Sequence, residues 1–285
     1  MIQLLNICNF FNRKSKYLLL AFLFSSSCYS SSDISLYVEQ NKLYENPYWA
    51  KLLHYRDGRS EIDSDNFFIS KEGKTNLKKE LFETIDSLEK GQNNVLCRFP
   101  LRVKWLKQNI PSLENKIINY ECSELNEYLS LIDAKYVTMV FPTAHINSPA
   151  SMYGHTFLRV SSSKDTALIS NAINYAAKTN DTNGLIFAYK GLFGEYEGRY
   201  SILPYYEKIK EYNNLEQRDI WEYDLDLNEE EVNRLVLHTF ELKDSYSDYY
   251  FFKENCSYNI LWLLEIARDD LDLVSKFTFK TVPLD

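Results

Sequence analysis

The residues best suited to chemistry are a cysteine, a histidine and one of two asparagines. Cys256 opens a strongly apolar segment that reads as a helix, with Ile260, Leu261, Leu263, Leu264 and Ala267 making a broad apolar face. At such a helix start, unpaired backbone amides and the helix dipole favour an anion, so the placement should lower the thiol pKa and suit a thiolate nucleophile. A nucleophile also needs a base, and His155, which follows Gly154 and begins an apolar strand, can project toward a facing helix end. A third group should hold the imidazole; Asn174 is the first choice and Asn171 the alternative, since an amide oxygen can accept the ring N–H as a carboxylate would.

Other readings of the same residues are weaker. A buried structural cysteine is the ordinary fate of an unpaired thiol. The remaining histidines offer little: His54 lies in an aromatic helical stretch, His238 falls on the exposed side of a capped helix, and His145 is in a loop where it can support the site or merely cap it. A zinc site from His145, His155 and Cys256 lacks any close ligand pair, so no metal and no cofactor is expected. Ser148 and Ser151 stand near His155 but not in a Gly-x-Ser-x-Gly turn, which suits them to shaping an entrance rather than to attack.

The other cysteines can be disposed of. Arg13, Lys14 and Lys16 precede an eight-residue apolar run at 17–24 and a serine-rich stretch ending at Cys28, which reads as a secretory signal over residues 1–28. That run is too short to span a bilayer, which takes about 20 residues. Cys28 is a possible lipidation site, although the leucine usual three positions before such a cysteine is missing. Cys97 and Cys122 can pair in an oxidising compartment, which leaves Cys256 as the odd thiol of an exported chain.

Composition narrows the partners. The 285 residues carry 32 basic and 40 acidic side chains, and without the leader the balance is 29 against 40. Such an acidic chain with no basic face does not bind nucleic acid, and any meeting with a membrane surface must rest on apolar or aromatic side chains rather than charge.

Residues 33–95 read as a helical N-terminal region, with a turn at Arg56–Arg59 and a helix over 74–90. From Cys97 to Asp133 the pattern stays helical, with Ser123 capping a helix over 124–132. Strands follow at 135–141, 155–160 and 166–175, then at 184–189, 198–203 and 219–227. Gly191, Gly194 and Gly198 suggest a tight hairpin or a backbone close to a ligand. Asn228 and Glu231 form a capping box ahead of an amphipathic helix. The fold class is therefore α+β, with the chemistry in 96–285.

Ser148-Pro-Ala-Ser-Met-Tyr-Gly-His-Thr-Phe-Leu-Arg159, Asn174-Tyr-Ala-Ala177, Lys190-Gly-Leu-Phe-Gly-Glu-Tyr-Glu-Gly198, Arg218-Asp-Ile-Trp-Glu-Tyr223 and Glu254-Asn-Cys-Ser-Tyr258 together resemble the periplasmic domain of Lnb-type lipoprotein N-acyltransferases. The likeness covers roughly 135–285, and Cys97-Arg-Phe-Pro100 is similar to the upstream segment.

The resemblance implies a circularly permuted papain-like (NlpC-like) fold, in which an antiparallel sheet packs against the catalytic-cysteine helix. It makes Cys256 the nucleophile, His155 the base and Asn174 the orienting group. The implied partners are a lipid acyl donor, the N-terminal amine of a diacylated lipoprotein and the membrane surface at which they meet, in the periplasm or cell envelope. Ser148, Ser151 and Tyr153 ahead of the histidine, with Tyr250 and Asn255 ahead of the cysteine, are the expected substrate-binding residues. Aromatic runs at 246–252 and 187–200 can line an acyl channel or simply fill the core. A cysteine hydrolase of the same fold, cleaving a peptide, an amide or a lipid ester, is the alternative.

Overall fold

The computed structural model describes residues 33–277 except 93, 144–153, 164–168, 180, 182 and 211–218. In chain order these residues form α1 (Asp33–Asn41), α2 (Pro47–Leu52), the short strands β1 (Tyr55–Arg56) and β2 (Arg59–Ser60), α3 (Leu77–Glu89), α4 (Val95–Arg98), α5 (Pro100–Asn109) and α6 (Ser123–Ile132). Then come β3 (Tyr136–Pro142), β4 (Phe157–Ser161), β5 (Asn171–Lys178), α7 (Gly184–Phe193), β6 (Tyr196–Pro204), α8 (Tyr205–Ile209), β7 (Ile220–Asp224), α9 (Glu229–Leu242), β8 (Ser247–Tyr249) and α10 (Cys256–Ala267). The architecture is α+β.

Six strands form one antiparallel sheet in the order β7-β3-β4-β5-β6-β8. Its central strands carry apolar side chains on both faces, as strands covered on both sides must. On one face Val137, Leu158, Val160 and Ile173 join a core with Leu235 and Val236 of α9 and Ile260 and Leu263 of α10. On the other face Val140, Phe157 and Ala172 pack with Tyr205 of α8.

That first core does not stop at the sheet and its helices. Ile34, Trp49, Leu52, Leu81 and Leu106 from the N-terminal helices belong to the same cluster. Polar contacts reinforce the continuity: Tyr48 donates to the Ile266 carbonyl at 2.8 Å and Trp262 Nε1 donates to Glu61 at 2.8 Å. The C-terminal helix α10 is thus held between the sheet and the N-terminal region.

Local signals explain several elements. The Asn228 side chain accepts from the Glu231 amide while Glu231 accepts from the Asn228 amide, which completes the capping box of α9. The Arg56–Arg59 turn closes the β1–β2 hairpin, with Gly58 at φ 85°. Cys97 and Cys122 form a disulfide with their Cα atoms 5.2 Å apart.

Four sequence expectations need correction. Ser123 does not cap its helix; Cys122 takes that position and Ser123 is the first helical residue. Residues 184–189 are not a strand but the start of α7, because Asn183 accepts from the Leu185 and Ile186 amides and nucleates a helix that Gly194 ends at φ 74°. The three glycines form no hairpin: one is inside α7, one ends it and one is in β6. His238 is not exposed but fully buried, bonding His54 at 2.9 Å through Nε2 and Glu241 at 2.9 Å through Nδ1. The reason is that α9 has neighbours on both sides, the sheet on one and α5 on the other, where Glu241 accepts from the Leu101 and Arg102 amides. Burial holds both histidines neutral, with His238 lowered to about 3.

Candidate active site

Cys256 is the first residue of α10, and Asn255 is its cap: the Asn255 side chain accepts from the Tyr258 amide at 3.1 Å and donates to the Phe251 carbonyl at 2.9 Å. Asn255 therefore fixes the entry of the chain into the helix, and at 2% exposure it acts as a structural cap. Tyr200 of β6 donates to the Asn259 carbonyl at 2.8 Å, fastening the first turn of α10 to the sheet. From the opposite side, Tyr258 donates to Glu61 at 2.8 Å.

The strand that follows His155 meets this helix end. Thr156 Oγ1 lies 2.8 Å from Ser257 Oγ, and the Thr156 amide hydrogen-bonds toward the Cys256 sulfur. His155 and Cys256 each adjoin one partner of that Thr156–Ser257 contact, so the sheet and the helix present them from adjoining backbone positions. Asn174 Oδ1 accepts from His155 Nε2 at 2.6 Å. With Nε2 the donor in the neutral ring, Nδ1 is the ring atom of the type able to take a proton. The amide is oriented in turn, since Asn174 Nδ2 donates to Ser201 Oγ at 3.3 Å. Asn171, the alternative, instead donates to the Leu131 carbonyl at 3.4 Å.

Cys256 is the free cysteine among the described residues and is buried. Its thiol pKa departs from expectation: burial pushes it up, and this outweighs the donors that favour the thiolate, namely the Thr156 amide, the Ser257 amide and hydroxyl, and the Tyr249 hydroxyl. The surroundings are acidic as well. Burial and the neighbouring Glu61, Asp63 and Asp248 carboxylates push Glu254, two residues before the cysteine, up to about 7. The resting thiol is therefore protonated, and a nearby base is required to activate it.

Tyr249 is the residue the sequence reading missed. It lies on β8, stacks on Tyr175 with ring centroids 5.8 Å apart, and brings its hydroxyl to both the thiol and the backbone N–H of Cys256. Alternation along β8 carries the signal, since Tyr249 and Tyr250 of a short strand end must point to opposite sides. Tyr250, expected to bind substrate, lies against Gly194 at the end of α7. The aromatic runs form a packed cluster in which Phe187, Tyr196 and Phe251 are buried together and Tyr249 and Phe252 adjoin them. Gly191 has no side chain because an added Cβ would sit 2.2 Å from the Phe251 ring.

Ser148, Ser151, Tyr153 and His145 lie outside the described residues. Among the described residues no cluster of His, Cys, Asp and Glu is placed to hold a metal ion, and no helix is long and apolar enough to cross a membrane.

Residues 124–285 match the family model described as the Lnb N-terminal periplasmic domain, and residues 41–109 match a domain of unknown function, DUF7843. No curated protein and no solved structure matches the chain.

Proposed function

Starting from the chain's membership of the Lnb N-terminal periplasmic domain family, we propose that it is a lipoprotein N-acyltransferase with Cys256 as nucleophile, working on a permuted papain-like fold. The family supports a periplasmic or envelope location and a link to lipoproteins. The observation that carries the chemical reading is the 2.6 Å bond from His155 to Asn174 beside a buried thiol at a helix start. This is the arrangement of base, orienting amide and nucleophile that thiol acyl transfer uses.

The steps follow from these roles. His155 Nδ1 takes the thiol proton, and the Cys256 sulfur attacks the carbonyl of a lipid acyl ester. Amides at the start of α10 stabilise the tetrahedral oxyanion. The leaving alcohol regains the proton from His155, and an S-acyl thioester remains. The α-amine of a diacylated lipoprotein then attacks the thioester, giving its proton to His155, and the sulfur departs to leave an amide. Burial of Cys256 supports transfer over hydrolysis because it keeps water from the thioester.

The test is complementation of a strain lacking its own lipoprotein N-acyltransferase, with lipoprotein N-termini determined by mass spectrometry. Wild type should acylate them; Cys256→Ala and His155→Ala should leave free amines. Free amines with wild type would reject transfer and leave the thiol hydrolase, which release of fatty acid from a lipid ester would reveal. Acylation by Cys256→Ala would reject the nucleophile.

A further inference from the structure

Helix α7 is apolar but for Lys190, with the sequence Gly-Leu-Ile-Phe-Ala-Tyr-Lys-Gly-Leu-Phe, yet half of it faces outward. Such a helix belongs in a core or against a non-aqueous neighbour. Its inner side is accounted for by Phe187, which packs on Phe251 with centroids 5.0 Å apart, and by Gly191 against the same ring. Its outer side carries Leu185, Ile186, Tyr189, Leu192 and Phe193, exposed by 85%, 46%, 55%, 50% and 62%. At about 100° per residue these five fall within an arc of about 120°. They form one stripe.

The stripe is uncharged. Lys190, the only charged residue of α7, is bound to Asp181 at 2.9 Å, and Tyr196 donates to the same carboxylate. At about 200 Å² per large side chain the exposed stripe amounts to roughly 600 Å², at the top of what monomers show. It is less than the roughly 800 Å² that each partner of a stable protein complex buries. The helix is about 15 Å long, far short of a bilayer's hydrocarbon thickness. Leucine, isoleucine and aromatic side chains on a short helix suit the boundary between lipid headgroups and acyl chains.

We propose that α7 docks this protein on a lipid bilayer by inserting Leu185, Ile186, Tyr189, Leu192 and Phe193 into the interfacial region. The charge pattern selects that occupant: the chain is acidic overall, and the stripe offers nothing for anionic headgroups to pair with, so binding rests on apolar burial. The face of α7 opposite the stripe packs through Gly191 and Gly194 on Phe251 and Tyr250, in the segment that leads into Cys256. Docking there holds the segment that carries the thiol about one helix diameter from the bilayer surface. The proposal goes beyond the transferase reading and holds equally for a lipid hydrolase.

The test uses the exported full chain carrying Cys28→Ser, so that no acyl anchor is attached, and sedimentation with vesicles of phosphatidylcholine. The protein should pellet with vesicles to the same extent at low and high salt. Leu185→Glu and Phe193→Glu should each lower partitioning about tenfold or more, Tyr189→Ser less, with unchanged thermal unfolding. Cys256→Ala should bind like wild type, which separates this outcome from that of the acylation assay. Failure of wild type to pellet, equal pelleting of the Glu variants, or a solution dimer that Leu185→Glu disperses would each overturn the proposal.

Discussion

Replacing Tyr249 with phenylalanine removes the hydroxyl that donates to the Cys256 sulfur and accepts from the Cys256 amide. A hydrogen bond to a charged group contributes about 1.5–3 kcal/mol, so its loss should cut the thiolate fraction near neutral pH about ten- to hundredfold. Burial already holds the thiol above its ordinary pKa, and a phenyl ring in place of phenol makes the site less polar, so both effects act in one direction. A more basic thiolate is also intrinsically more nucleophilic, which returns roughly the square root of the loss. The net expectation is alkylation of Cys256 by iodoacetamide slowed about three- to tenfold at pH 7.5, with the midpoint of the pH profile moved upward. Peptide mass spectrometry resolves Cys256 from any other thiol, and thermal unfolding controls for damage to the fold. An unmoved or lowered midpoint would refute the reasoning, since it would mean that the phenol does not stabilise the thiolate.

Other expectations follow from separate parts of the structure. Asn174→Ala should slow acyl transfer about tenfold or more by releasing the His155 ring, while Asn171→Ala should leave it near wild type; initial rates decide. Gly191→Ala places a methyl group 2.2 Å from the Phe251 ring and should destabilise the protein by about 1–3 kcal/mol, read by urea unfolding. Reducing the Cys97–Cys122 disulfide should cost about 3.5 kcal/mol by the loop-closure entropy of its 25-residue separation, measured the same way with and without reductant. Glu231 is held at about 2, chiefly by hydrogen bonds from Arg268. Its contribution to stability is thus complete above the ordinary carboxylate value of 4.5 and is lost as pH falls toward 2. Arg268→Ala should flatten that acid limb in urea midpoints measured between pH 3 and 7.

Much of the candidate site was legible because its signals are local. The Asn255–Cys256 start of α10 and the strand after His155 follow from short apolar patterns, and Asn174 lies on the strand that pairs beside it. What failed was information about neighbours. His238 and Glu241 are polar in a list of helix positions, but the C-terminal half of α9, packed on both sides, has no solvent face, and their partners lie on distant segments. Likewise 184–189 has the β-friendly composition of a strand, and one capping asparagine decides for helix. The rise in the thiol pKa was also out of reach, because helix position argues for a lowered value while burial, which a sequence does not report, pushes the other way.

The grip of the N-terminal region on α10 has a consequence for how the chain reaches its native state. The Tyr48–Ile266 and Glu61–Trp262 bonds join residues 218 and 201 positions apart, so neither can form until nearly the whole described chain is present. A chain delivered N-terminus first must hold Trp49, Leu52 and their neighbours without their final partner until α10 arrives. Folding of this kind, dominated by distant pairings, is slow and leaves apolar surface open in the interim. The helix that begins with Cys256 is therefore placed late among the described elements, and the thiol becomes buried only once that helix packs between the sheet and the N-terminal region.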